Sequence, residues 1–157
     1  MVNRIRPAER EELPAIVALG REMHAESRQC VLPFAADRLT DTLTQILNHG
    51  FLWVHETNGV IDGGLAGFVA ESWYANVKIA GELGLYVQPT ANGGIAALRL
   101  VKRFKSWAFD EKGVAEITMG ITTGVNIAET GKIYEHLGFE YVGGNYKLRN
   151  PANVHRS

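Results

Sequence analysis

One junction constrains the fold of this chain more than any other stretch. Residues 79–88 alternate, with Ile79, Leu83, Leu85 and Val87 set against Ala80, Glu82 and Tyr86, and Pro89 then removes the donor that a continuing ladder needs. Beyond Gly93 and Gly94, the residues Ala97, Val101, Phe104 and Ala108, flanked by Leu100 and Trp107, form one wide apolar stripe at helical spacing. A strand, a glycine-bearing turn and a long amphipathic helix in succession require a sheet with a helix packed across it.

The same junction has chemistry in it. The first N–H groups of a helix lack internal acceptors, its dipole favours negative charge there, and glycine lets a phosphate approach the backbone. A pyrophosphate suits such a place, although a glycine pair at a helix start is equally the mark of a plain turn. No Gly-Lys-Ser/Thr follows, which excludes a Walker loop, and Gly-x-Gly-x-x-Gly is absent, which excludes the dinucleotide fingerprint.

The remaining elements fall on both sides of this junction. Residues 4–7 predict a short first strand, and Leu13, Ile16, Val17 and Leu19 a helix with Pro14 in its first turn. A loop follows over 26–36, then a second helix with Leu39, Leu43, Ile46 and Leu47, capped by Asp37 and ended by Gly50. Residues 51–54 read as a strand running into the hairpin dipeptide Asn58-Gly59, and 65–73 as its partner, with Asp62-Gly63-Gly64 either the turn itself or a bulge. Past Gly113, a strand is expected over 115–121, then a helix containing Ile133, Tyr134 and Leu137, then a closing strand pair over 139–148. The pattern predicts an α/β (α+β) domain over residues 1–150, with a flexible tail over 151–157.

Composition narrows the function classes. At 157 residues, 46% hydrophobic and 21% charged, the chain fits one globular domain, and a net charge of −1 argues against a nucleic-acid partner. Arg99, Lys102, Arg103 and Lys105 read as the solvated face of a helix, with attraction for an anionic cofactor as the alternative. The single cysteine, Cys30, cannot form an internal disulfide and suits a reducing cytoplasm. The beginning of the chain has the acidic stretch Glu9-Arg10-Glu11-Glu12 where a secretion signal needs apolar residues, and no apolar run approaches the roughly 20 residues of a membrane span, so no membrane association is expected. His24, His55 and His136 lack metal-motif spacing, and no metal is expected.

Two segments carry a resemblance. Val87-x-Pro89-x-x-Asn92-Gly93-x-x-x-Ala97 resembles the cofactor motif of the GNAT superfamily of acetyl-CoA-dependent N-acetyltransferases, Val-x-Pro-x-x-Gln/Arg-Gly-x-Gly-x-Gly/Ala. Tyr134-Glu135-His136-Leu137-Gly138-Phe139 is similar to the family segment Tyr-x-x-x-Gly-Phe and is preceded by Asn126. The order of elements matches over nearly the whole chain. Asn92 stands where the family has Gln or Arg, bringing no positive charge, and Ile95 stands where glycine is common.

The resemblance implies a mixed, largely antiparallel central sheet of about six to seven strands with helices on both faces, and acetyl-CoA as cosubstrate. It places the pantetheine along Leu85, Tyr86 and Val87, where this strand splays from residues 115–121, and the pyrophosphate on Asn92, Gly93, Gly94, Ile95, Ala96 and Ala97. Asn126 would bond the pantetheine arm, and the Val87 N–H would face the oxyanion. Attack by a neutral amine on a thioester needs a route for a proton to leave and an acid for the departing thiolate. The resemblance makes Tyr134 that acid, whereas periodicity alone makes it a core aromatic beside Ile133 and Leu137. Glu82 is the candidate base, with a solvent-facing Glu as the alternative reading, and Gly84 beside it can mark a bulge that reverses its side. Glu71 is a second candidate.

Trp73 and Tyr74 are candidates for lining an acceptor site, or for a core edge, and Met23, His24 and the loop over 26–34 lie where the family builds its acceptor lid. The expected activity is N-acetylation of a primary amine, of a small molecule or a protein, that the sequence does not identify. The alternative is a noncatalytic acyl-CoA-binding or regulatory domain. A homodimer is plausible from the strand edge expected over 141–148.

Overall fold

The computed structural model describes residues 2–91 and 93–153. Five strands, β1 (Asn3–Pro7), β2 (Phe51–Thr57), β3 (Val60–Glu71), β4 (Lys78–Val87) and β5 (Glu116–Thr118), form one sheet in sequence order. The first four are antiparallel and β5 runs parallel to β4, so the sheet is mixed and largely antiparallel, with fewer strands than the six to seven expected. The helices are α1 (Leu13–Glu26), α2 (Ala36–His49), α3 (Gly93–Ser106) and α4 (Ile127–His136).

The continuous apolar run at the start of β2 results from burial on both faces. Leu52 and Val54 pack with Leu13, Ile16, Val17, Leu43 and Ile46 beneath α1 and α2. Phe51 packs on the other side with Leu65, Ala80, Leu100, Val101, Phe104 and Trp107 under α3, and Tyr134 of α4 joins that cluster. The phenylalanine and tryptophan rings interlock, with Phe51 centred 5.1 Å from Phe104 and 5.3 Å from Trp107. Phe104 fits only because Gly67 of β3 lies below it; a Cβ on Gly67 would stand 2.4 Å from the ring.

Local chemistry accounts for the boundaries. Asn58 and Gly59 both have positive φ, 52° and 82°, as a two-residue turn between β2 and β3 requires. Asp62 is then the bulge and not the turn, because the register shifts between His55 and Glu56, which face Gly63 and Ile61. Asp37 lies inside the first turn of α2 and does not cap it; the N-cap is Ala35, without a side-chain bond. After α3 the chain widens into one π-type turn, Trp107–Glu111, and reverses at Gly113, φ +64°.

Three expectations are corrected. Leu83 does not belong with Leu85 and Val87: it is the extra residue of a second bulge, between Glu82 opposite Gly67 and Gly84 opposite Ala66, and it is exposed. The strand expected over 115–121 is paired only at Glu116–Thr118, because the chain then turns away from β4. Residues 139–148 form no strand pair, so the sheet ends at β5 among the described residues. In the tail, residues 151–153 make a turn closed by Asn150, and 154–157 lie outside the described residues.

The tight seat of Phe104 leads to a paired prediction. Gly67→Ala is expected to destabilise the fold by about 1–3 kcal/mol through overpacking. Gly131→Ala, inside α4 with no atom within 4 Å of the new methyl, is expected to stabilise by roughly 1 kcal/mol. Thermal melts of the two variants check the signs.

Candidate functional site

The β4–β5 ladder covers only three pairs, Ile79 with Glu116, Ala80 with Ile117 and Gly81 with Thr118. Beyond Gly81 the two chains part and leave a fork. Hydrogen-bonded and non-bonded pairs alternate along an antiparallel ladder, and the Gln88 N–H donates to the Asp62 carbonyl at 2.8 Å. Gln88 and Tyr86 therefore bond towards β3, and the N–H and C=O groups of Leu85 and Val87 point the other way, into the fork.

The bulge at Leu83 decides what else faces the fork. Ala80, Leu85 and Val87 pack against the α3 side, whereas a Cβ on Gly84 would meet Met23 of α1 at 3.5 Å and Tyr86 reaches α1. The extra residue keeps Glu82 on the α3 side together with Leu85 and Val87, opposite Tyr86, which simple alternation would not do. Glu82 reaches across the fork, and its Oε1 accepts the Gly120 N–H at 3.1 Å. The Tyr134 hydroxyl donates to the carbonyl of the same glycine at 3.0 Å. Two candidates far apart in sequence thus meet at the backbone of Gly120, where the fork begins.

Their surroundings shift both groups in one direction. Burial pushes the Glu82 carboxyl above its ordinary 4.5, against the opposing pull of the Gly120 N–H. Burial and then the charge of Glu82 push the Tyr134 phenol well above its ordinary value, so it holds its proton throughout the neutral range. A poised carboxyl and a protonated phenol side by side can accept one proton and donate another.

At the far end of the fork α3 begins. Gly93 meets only a Val87 methyl, 3.9 Å from an added Cβ, and Gly94 meets nothing within 4 Å. The first turn holds no acidic residue, Ile95 projects from it, and Ala96 and Ala97 are buried beneath. Asn92 lies outside the described residues. Asn126 is the left-handed N-cap of α4, φ 51°, and its side chain makes no capping bond.

The loop after α1 closes over the fork. The Arg28 N–H donates to the Thr123 carbonyl at 2.8 Å, the Ser27 hydroxyl donates to the same carbonyl, and Gln29 packs on Gly124. His24 pins this loop by donating from Nε2 to the Leu32 carbonyl at 2.6 Å, with Phe34 against its ring. Other candidates stay apart. Glu71 is exposed at the end of β3 opposite Lys78, Trp73 and Tyr74 stack edge to face in the exposed loop beyond, and His136 is exposed at the end of α4. Three of the four basic residues of α3 have partners, Arg99 bonding Asn3, Arg103 pairing with Glu111 and Lys105 capping α4 at the Leu137 carbonyl, while Lys102 is exposed.

Sequence reasoning missed two groups. Glu22 and Glu26, one turn apart on α1, accept from the Gln88 amide and the Tyr86 hydroxyl, and line an open depression of about 380 Å³ with Pro89 and Thr90. Their spacing of four was the available signal. The second group is a buried set in the first bulge, where His55 Nδ1 and the Thr57 hydroxyl both donate to the Asp62 carboxylate at 2.6 Å. Asp62 thus has its side chain locked while its carbonyl receives Gln88, and this fixes the phase of the β4 end.

No protein-family model matches this chain, and no curated protein matches it in sequence. Solved structures do match. A predicted acetyltransferase of Clostridium acetobutylicum, solved with acetyl-CoA, has a TM-score of 0.73 at 20% identity over 99% of this chain and 100% of that one. The aminoglycoside N-acetyltransferase AAC(6')-Iy, solved with CoA, has 0.72 at 18% identity over 96% and 95%. A ribosomal-protein-alanine N-acetyltransferase of Brucella melitensis biovar Abortus 2308 has 0.71 at 14% identity over 95% and 99%. The fold of this chain is therefore GNAT-like.

Asp62→Ala is expected to lower stability by about 2 kcal/mol, since it strands one buried donor, His55, and one half-buried donor, Thr57. It is also expected to speed hydrogen exchange at the Gln88 amide. Unchanged protection there would mean that the carboxylate does not hold the strand end.

Proposed function

We propose that this chain is a cytoplasmic acetyl-CoA-dependent N-acetyltransferase acting on a primary amine. The observation that carries the reading is the fork: an unpaired strand edge at Leu85 and Val87, in line with the bare first turn of α3, with Glu82 and Tyr134 at its vertex. The residues present fit this cosubstrate. Amide groups of a pantetheine match the free N–H and C=O groups of the β4 edge, and a pyrophosphate matches a helix start where Gly93 and Gly94 leave the backbone open. The solved structures of this fold are acetyltransferases, several with CoA or acetyl-CoA bound, which supports the same use here.

When bound, acetyl-CoA supplies an activated thioester carbonyl. In this reading the Val87 N–H, aimed into the fork, donates to the oxygen of that carbonyl and stabilises the charge that develops on it. Glu82 takes a proton from the attacking amine, directly or through one water, a role its raised carboxyl suits better than an ordinary one. Tyr134 turns its hydroxyl from Gly120 and gives its proton to the departing sulfur. A thiol with an ordinary value of about 8.5 makes that acid helpful and not indispensable. Asn126, with its side chain not spent on capping, bonds the pantetheine arm. Glu71 stays away from this chemistry at the exposed strand end.

Glu82 links activity and stability with opposite signs. Its folded value is raised, so the native state binds more protons than the unfolded one above pH 4.5, and stability falls as pH rises towards the folded value. Glu82→Gln, which still accepts from Gly120, is expected to melt higher than the parent at pH 7.5 and equally at pH 4. It is also expected to lose about 100-fold in kcat. An unchanged kcat removes Glu82 as the base.

Tyr134→Phe is expected to lower kcat roughly tenfold or more with little change in KM for acetyl-CoA, as for a group used only in the transition state. Gly93→Asp brings charge and bulk to the start of α3 and is expected to abolish acetyl-CoA binding in calorimetric titration. Normal affinity in that variant overturns the pyrophosphate assignment. Ile95, exposed on the same turn where the family commonly has glycine, favours the second reading, a noncatalytic acyl-CoA-binding domain. Tight acetyl-CoA binding with no turnover across a broad panel of amines would select it.

A further inference from the structure

The β4–β5 ladder fixes the fork at one end only, where Gly81 pairs with Thr118. Beyond it the two lips of the fork share no ladder, and something else must set how far apart they run. On the β4 lip, the side chains of Tyr86 and Gln88 turn away from the fork towards α1. The Tyr86 hydroxyl donates to Glu26 at 2.9 Å, and the Gln88 amide donates to both oxygens of Glu22, at 3.1 and 2.9 Å. Met23, between these two glutamates in sequence, lies 3.5 Å from where a Cβ on Gly84 would stand. The end of α1 is therefore clasped to β4.

One residue beyond Glu26 the chain reaches the opposite lip. The Ser27 hydroxyl and the Arg28 N–H both donate to the Thr123 carbonyl, at 3.2 and 2.8 Å. The crossing is braced from within, because the Ser27 oxygen also accepts the N–H groups of Gln29 and Cys30. Tyr86 and Thr123 each lie five residues past the last ladder pair, Gly81 with Thr118. The lips are thus joined through α1 at equal distances along the chain from the vertex.

Both acceptors in the clasp are carboxylates, and neither pairs with a cation among the described residues. Bonds of neutral donors to charged acceptors are stronger than those between neutral groups. Burial and then the bond to Glu26 hold the Tyr86 phenol above its ordinary value, so it remains a donor through the neutral range. A pantetheine that pairs with the Leu85 and Val87 edge has residues 121–126 on its other side. A site of that kind works only when its walls are held to within about 0.5 Å.

We propose that Glu22, Glu26, Tyr86 and Gln88, continued by Ser27 and Arg28, form a bracket that sets the gape of the fork. Gln88 and the side chain of Tyr86 are then positioning groups for the cosubstrate, acting through the distance between the lips. This role rests on the acetyl-CoA reading of the fork.

Tyr86→Phe/Gln88→Leu removes the bonds of the clasp without a change of charge. It is expected to bind acetyl-CoA roughly tenfold more weakly in calorimetric titration. Its Arg28 amide is expected to exchange hydrogen faster than the parent's, and Tyr86→Phe alone to move both quantities the same way by less. Glu22→Gln/Gln88→Glu exchanges donor for acceptor while keeping the bond and the net charge, and is expected to match the parent in both measurements. Weak binding by this reversed pair would mean that Gln88 touches the ligand itself, and the proposal fails. Unchanged exchange at Arg28 in the first variant overturns the bracket, whether or not the chain binds acetyl-CoA. Faster exchange with parental affinity overturns its role in setting the gape. A parent with no affinity for acetyl-CoA overturns the reading of the fork and this role with it, a result that exchange at Arg28 keeps apart from failure of the bracket.

Discussion

Between Glu82 and Gly84 the fourth strand holds one residue more than the third can pair with, and the arrangement of side chains at the fork follows from that surplus. Without it, strict alternation would send Glu82 to the same side as Tyr86, under α1. With it, Glu82 shares a face with Leu85 and Val87 and lies within reach of Gly120. Leu83 takes the exposed place that the irregularity creates, at the cost of one large apolar side chain left in solvent. The second condition is the early end of the β4–β5 ladder, since a carboxylate on the correct face would otherwise meet a neighbouring strand instead of open backbone.

A frame assembled from such departures needs fixed points, and these are polar. The His55, Thr57 and Asp62 bonds hold the first bulge from inside. At the base of the sheet Arg6 joins Glu56 on β2 to Glu12 before α1, and its guanidinium holds both carboxyls below their ordinary value. That contribution is present above pH 4.5 and disappears as acid protonates the two groups. Glu82 responds in the opposite sense, its burial favouring the protonated form and costing stability as pH rises. The chain thus keeps a carboxyl whose charge the fold disfavours.

Much of this was legible in the sequence, for identifiable reasons. The α3 stripe, the Asn58-Gly59 turn and the meeting of β4 with a helix start are local patterns, and local patterns survive into the fold. The pairing of Glu22 and Glu26 with Tyr86 and Gln88 is not local, spanning some sixty residues, and nothing in the neighbourhood of either half announces it. Leu83 was misread because a bulge leaves alternation in the letters intact while breaking it in space. Asp62 reads equally as turn or bulge, because acidic and glycine-rich stretches serve as either, and only the pairing register decides between them. The segment over 139–148 has the letters of a strand, yet among the described residues it pairs with nothing.

The junction of the loop after α1 with the segment before α4 is made largely by main chain, the Arg28 N–H on the Thr123 carbonyl, which also accepts from the Ser27 hydroxyl, and Gly124 leaves room there for Gln29. Bonds of this kind are indifferent to which side chains flank them. Side chains at this junction that make no contact of their own can change without breaking it, provided the glycine stays, whereas Phe34 and Ile121 are held by the core clusters on which they pack. Those freer positions can vary while the sheet, the fork and the helix start beneath them remain as they are.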